Sequence, residues 1–140
     1  MHDSLNITSP SPDMRHRAHF AVSGEVRFGP LYYVLSVEDY RFGQRIFGDA
    51  HLWSPASDLL AVQEWLTLDY SAGPITALLL IDVVQRRETI LAQATKRFLV
   101  PERFEGSALV YREEHAGQAV VKRFDLADVN EWKPFAQAQS

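Results

Sequence analysis

His16 and His19 stand three positions apart, the shortest spacing between two imidazoles in the chain, and such pairs are a common start for a metal site. On a strand the two rings point to opposite faces, and only a helix brings them together. No carboxylate falls beside them at a familiar ligand spacing, and the H-E-x-x-H pattern is absent. They read as solvent-exposed polar residues, and no metal or other cofactor is expected. His51, next to Leu52 and Trp53, reads as a half-buried histidine with satisfied nitrogens rather than a general base, and His115 as part of a turn. Serine chemistry needs a positioned base and an oxyanion hole, yet no G-x-S-x-G elbow is present, and Ser36 and Ser54 suit a strand end and a turn. Gly24, Gly29, Gly43 and Gly48 fall in separate turns and build no phosphate cradle. Glu64 and Asp82 lie on two runs that should pair, so the pattern allows them to face each other as glycoside-cleaving acids do. Their plainer reading is a pair of solvent-face residues, and no enzymatic activity is expected.

A different set of side chains is more informative. Asp39, Tyr40, Arg41 and Phe42, together with Trp65, Asp69 and Tyr70, mix aromatic area with charge in predicted turns and strand ends. That mixture dominates energetic hot spots in protein interfaces, so these residues are the candidate partner-binding set. The other aromatics, Phe20, Phe28, Tyr33, Trp53 and Phe124, are expected to fill the core.

The elements that must carry these residues are strands. His19 to Phe28 alternates around a break at Ser23-Gly24 and predicts a strand or tight hairpin, and Gly29-Pro30 a turn. Leu31–Val37 is aromatic and β-branched, which predicts a buried strand. Gln44 to Trp53 predicts another, bulged near Gly48-Asp49. Leu59–Leu66 and Ile75–Val83 are apolar runs of strand length and should form the centre of the sheet. Residues 85–98 mix helix and strand signals, and strand is preferred. Ala108–Arg112 and Ala119–Phe124 flank Glu114 to Gln118, where Gly117 can take a positive φ, a second hairpin. Asp128 to Trp132 predicts a short helical turn capped by Asp128, with Pro134 ending regular structure.

The fold class is therefore mainly β with little helix: an antiparallel meander forming a small two-sheet sandwich or a partial-propeller-like domain. With 140 residues, 46% of them hydrophobic and 23% charged, one core is expected. The division read from composition is a flexible segment over 1–14, a single domain over 15–135 and a tail over 136–140. Zero cysteines, no basic-then-apolar leader and an apolar run no longer than Ala77–Ile81 point to a soluble, cytoplasmic protein without membrane association. The net charge of -4 and scattered basic groups such as Arg86-Arg87 and Lys122-Arg123 disfavour nucleic acid.

The segment Leu52-Trp53-Ser54-Pro55-Ala56-Ser57-Asp58-Leu59-Leu60-Ala61-Val62, with Ile75 to Val83, resembles one blade of the propellers in the TolB and prolyl-oligopeptidase group. There a W-S-P-D-G-like turn feeds a strand and a second strand ends near an aspartate. Ala56 and Ser57 replace the usual D-G pair. The resemblance implies a four-stranded antiparallel meander from Gln44 to Ala94 and transfers no functional residue.

The expected function is binding to another protein, and specifically that of a bacterial immunity protein that neutralises a cognate toxin effector domain. The alternatives are an assembly subunit that oligomerises through sheet edges and a small-ligand-binding β domain.

Overall fold

The structure, a computed structural model, describes residues 5–26, 30–68 and 73–135. The two central runs become β6 (Leu59–Trp65) and β7 (Ile75–Asp82), paired antiparallel from Leu59↔Asp82 to Trp65↔Thr76. Successive side chains of a strand point to opposite faces, and here both faces are covered. Leu60, Val62, Leu79 and Ile81 belong to one core cluster, whereas Ala61, Leu78 and Leu80 belong to another. Double burial explains why these strands read as continuous apolar runs rather than alternating ones.

Around them the chain winds as a meander. In order come β1 (Ile7–Pro10), β2 (Arg17–Glu25), β3 (Leu31–Val37), the two-residue β4 (Tyr40–Arg41) and β5 (Ile46–Trp53). After β6 and β7 follow β8 (Arg87–Thr95), β9 (Phe98–Glu105), β10 (Ala108–His115), β11 (Gln118–Asp125) and β12 (Lys133–Pro134). The large sheet has the order β1-β2-β3-β5-β6-β7-β8-β12, with β4 paired to β3, and a second sheet has the order β11-β10-β9. The domain is mainly β and antiparallel, and neither sheet closes into a barrel among the described residues. No helix among them is long and apolar enough to cross a membrane.

The large sheet coils on itself. Phe20 and Leu35 of β2 and β3 share a cluster with Leu60 and Ile81 of β6 and β7, and β3 meets β5 only at Tyr33↔Phe47. On the opposite face the small sheet supplies Leu99, Leu109 and Tyr111 to the second cluster. Two packed layers thus enclose one core and leave a coiled half-sheet around the other.

The bulge expected near Gly48 is present as a register shift between Phe47 and His51. Residues 85–98 are strand over 87–95, with a turn at Arg86, whose φ is 57°. Ser23-Gly24 is a bulge within one strand rather than a hairpin.

Several expectations need correction. Residues 7–14 are not loosely ordered: β1 pairs with β2, and the Asp13 N–H donates to Ser57 Oγ at 2.9 Å. The helical turn lies at Leu126–Asp128 and is capped by Asp125, not Asp128, and it is followed by a two-residue strand whose last residue, Pro134, pairs with Arg87. Trp53 is only half-buried, and Phe124 is likewise at the margin of its cluster. Phe28 and the predicted 136–140 tail lie outside the described residues.

Candidate functional site

His51 has the most complete environment of the described histidines. Its Nδ1 lies 2.7 Å from the Asp49 carbonyl, which can only accept, so that nitrogen carries a proton, and Nε2 is hydrogen-bonded to Ser9 Oγ at 2.9 Å. Ser9 Oγ in turn accepts the Trp53 indole N–H at 3.1 Å, and the His51 ring packs on Phe20 with centroids 4.6 Å apart. A hydroxyl against an imidazole is the pairing that activates a nucleophile. Here the indole occupies the serine oxygen, and a backbone carbonyl takes the position where a carboxylate stabilises an imidazolium. The trio ties β1 to β5, as the expectation of a satisfied half-buried histidine required. Ser9→Ala leaves both the indole N–H and Nε2 without a partner, and should cost about 1–2 kcal/mol in urea denaturation.

The remaining described histidines are dispersed. His16 Nδ1 contacts the Glu38 carboxylate, His19 Nδ1 is 3.1 Å from Thr8 Oγ1, and His115 Nδ1 is 2.7 Å from the Lys96 carbonyl. Among the described residues no three His, Asp or Glu side chains converge as a metal site.

Glu64 and Asp82 do not meet. They occupy rows five apart in the β6–β7 register, about 17 Å along the strands, and face opposite sides of the sheet. Asp82 accepts from the N–H groups of Val84 and Gln85 at 3.1 and 2.9 Å and from Arg87 Nε at 3.0 Å, which secures the β7–β8 turn. Glu64 instead receives both Nε and Nη2 of Arg45 at 2.9 Å, and Arg45 Nη1 reaches Glu88 at 2.7 Å. Burial opposes the charge on Arg45, but hydrogen bonding to Glu64 and the charges of Glu64 and Glu88 outweigh it and hold the guanidinium above its usual range. A cleft of about 610 Å³ opens beside this triad, between Leu79, Ile90, Glu131 and Lys133.

The predicted contact residues divide sharply. Phe42 is 2% exposed and packs edge-on against Phe47 and Phe135, and Trp65 is 4% exposed. The Trp65 indole donates to Gln63 Oε1 at 2.7 Å, and Gln63 Nε2 donates to the Leu99 carbonyl at 2.9 Å, a bridge from the large sheet to β9. As surface contact residues Phe42 and Trp65 are therefore corrected to interior ones: both end up beneath neighbouring strands that their local sequence does not reveal. Asp69 and Tyr70 lie outside the described residues. Tyr40 is half-buried and stacks on Phe135 with centroids 4.4 Å apart, while Asp39 and Arg41 are exposed.

What the sequence did not disclose is the neighbour of this turn. Arg86, from the β7–β8 turn, is 3.2 Å from Asp39 through Nη1, and its guanidinium lies over the rings of Phe135 and Tyr40 at 5.3 and 5.9 Å. Val84 beside it is 61% exposed. The two turns thus form one surface, with Asp39, Arg41, Val84 and Arg86 outward over an aromatic base of Tyr40, Phe42 and Phe135. Backbone bonds brace it: Glu38 N–H to the Arg17 carbonyl, Val83 N–H to the Asp58 carbonyl and Phe135 N–H to the Arg86 carbonyl, each at 3.0 Å.

Fold and surface together define an antiparallel two-sheet β domain with a braced, two-turn patch at one end. No family model matches the chain, and no curated protein or solved structure matches it either.

Proposed function

We propose that the protein is a non-enzymatic protein-binding module that uses the patch formed by the turns 38–41 and 83–86. The carrying observation is the Arg86 bridge, which joins turns 47 residues apart into one surface of exposed charge and exposed valine on a packed aromatic base. Rigid anchors ringed by charge lose little entropy on docking and form effective hot spots. The finer reading is a bacterial cytoplasmic immunity protein that neutralises a cognate toxin. It is supported by a net charge of -4, which complements a basic effector surface.

The test is affinity capture with wild-type protein and with Arg41→Ala and Val84→Asp variants, whose substituted side chains are exposed. One stoichiometric partner, bound about tenfold more weakly by each variant at unchanged unfolding midpoint, is the expected result. Equal binding by all three proteins rejects this surface. Co-expression that fails to rescue cells from the captured partner rejects the toxin reading and leaves the binding module standing.

A further inference from the structure

The β10–β11 hairpin covers the second core cluster through Leu109, Tyr111 and Phe124 and is exposed toward its tip. Its tip is a two-residue turn with φ of 50° at Ala116 and 80° at Gly117, where glycine carries the second positive φ without strain. From there β11 runs back as an edge strand exposed at every residue except the half-buried Phe124, with Val120 and Val121 53% and 59% exposed. Among the described residues it pairs only with β10.

The Leu126 N–H donates to the Ser107 carbonyl at 2.8 Å, and this bond sets the alternation along the hairpin. Phe124, Lys122, Val120 and Gln118 turn their backbone groups toward β10, and Ala119, Val121 and Arg123 turn theirs outward. A row of free backbone donors and acceptors takes up an extended strand.

We propose that this strand is β11 of a second copy of the chain, paired antiparallel about a two-fold axis at Val121, so that two three-stranded sheets become one of six. The surface is separate from the two-turn patch. Outward backbone groups must meet outward backbone groups, which leaves only registers that place odd positions opposite odd ones. Centring on Lys122 sets two ammonium groups face to face. Centring on Val120 sets the basic residues against Gln118 and Gly117. Centring on Val121 sets Lys122 opposite Val120 and Arg123 opposite Ala119 of the other copy. Glu113 lies in the Val120 row and Glu114 in the Ala119 row. Each basic side chain then lies two strand spacings, about 10 Å, from an acidic one, across Val120 for Lys122 and across Ala119 for Arg123. Within each protomer Lys122 and Arg123 are already held by Glu113 and Glu105 at 3.2 and 2.8 Å, so the charges that ordinarily guard an edge are neutralised. Val121 meets its symmetry mate on the outer face, and Val120 and Phe124 of both copies meet diagonally on the inner face.

The chain lacks cysteine, so Val121→Cys supplies a single thiol at the axis. Hydrogen-bonded antiparallel partners have Cα atoms about 5.5 Å apart, within disulfide reach. The expected result is a concentration-dependent wild-type dimer in sedimentation velocity and rapid oxidation of Val121→Cys to a covalent dimer, with no such product from the equally exposed Val84→Cys. Val121→Pro, which removes an outward N–H, and Val121→Lys, which opposes two ammonium groups, should each weaken the dimer at least tenfold while retaining the unfolding midpoint that the wild type shows when diluted to monomer. A wild-type monomer at every concentration overturns the proposal. So does a dimer indifferent to both substitutions, or one in which Val84→Cys cross-links as fast as Val121→Cys. Arg41→Ala should leave this dimer intact, which separates it from failure of the two-turn surface.

Discussion

Replacing Arg45 with Met should destabilise the domain by about 2–4 kcal/mol, because it leaves two carboxylates in the interior with their shared cation removed. Glu64 and Glu88 side chains are each 8% exposed, and Arg45 bonds both of them while its guanidinium lies 5.4 and 5.9 Å from the Phe42 and Phe47 ring centres. The side chain of Arg45 is itself 35% exposed, so water screens part of the effect and the upper end of the usual cost for breaking a buried pair is not expected. The sign depends on which partner is removed. Met fills much of the volume of Arg but neutralises neither acid, whereas adding Glu64→Gln and Glu88→Gln to the same chain removes the stranded charges and should recover a substantial part of the loss. Urea unfolding of the single and combined variants measures both, and the coupling energy comes from the cycle. A near-neutral Arg45→Met would mean that the acids find other partners and that the triad is dispensable.

Phe135→Ala should cost about 3–4 kcal/mol, the range for truncating a buried aromatic. Phe135 is 6% exposed, stacks on Tyr40, meets Phe42 edge-on at 5.2 Å and lies beneath Arg86. Its position near the end of the described chain makes the effect architectural. After β11 and the turn at Leu126–Asp128, the chain places Trp132 under Arg87 at 4.4 Å on the second core, pairs Lys133 and Pro134 with Glu88 and Arg87, and then inserts Phe135 into the first core. The segment wraps the β8 edge and fastens the two cores together. Loss of Phe135 should therefore speed amide exchange along β8 as well as lower the unfolding midpoint. Ile90→Ala, at a 50% exposed position of the same strand, is the control and should stay within about 0.5 kcal/mol of wild type. Equal effects from both would remove the clasp assignment.

The strands were legible because they depend on local pattern. Largely apolar runs over Leu59–Trp65 and Ile75–Asp82 are stable when buried on both sides, and turn residues at Pro55 and Pro74 precede them. The bulge at Gly48 announced itself as an interruption in Ile46–Trp53. The site was legible only in part. Asp39 to Phe42 was recognised as a turn rich in aromatic and charged groups, but the same amphipathic chemistry serves an interface or a core, and nothing local distinguishes the half-buried Tyr40 from the buried Phe42.

By itself the sequence determined an antiparallel β domain with its central hairpin, because side-chain period and turn chemistry act over a few residues. Only the tertiary structure decided that Trp65 faces inward onto Gln63, that Arg45 gathers two distant acids, and that Ser9 joins β1 to His51 and Trp53. It alone placed Arg86 against Asp39 and left β11 without a second neighbour among the described residues. Each of these depends on which strands lie side by side after the sheet coils. That is set by the burial of the whole core, and no short window of sequence contains it.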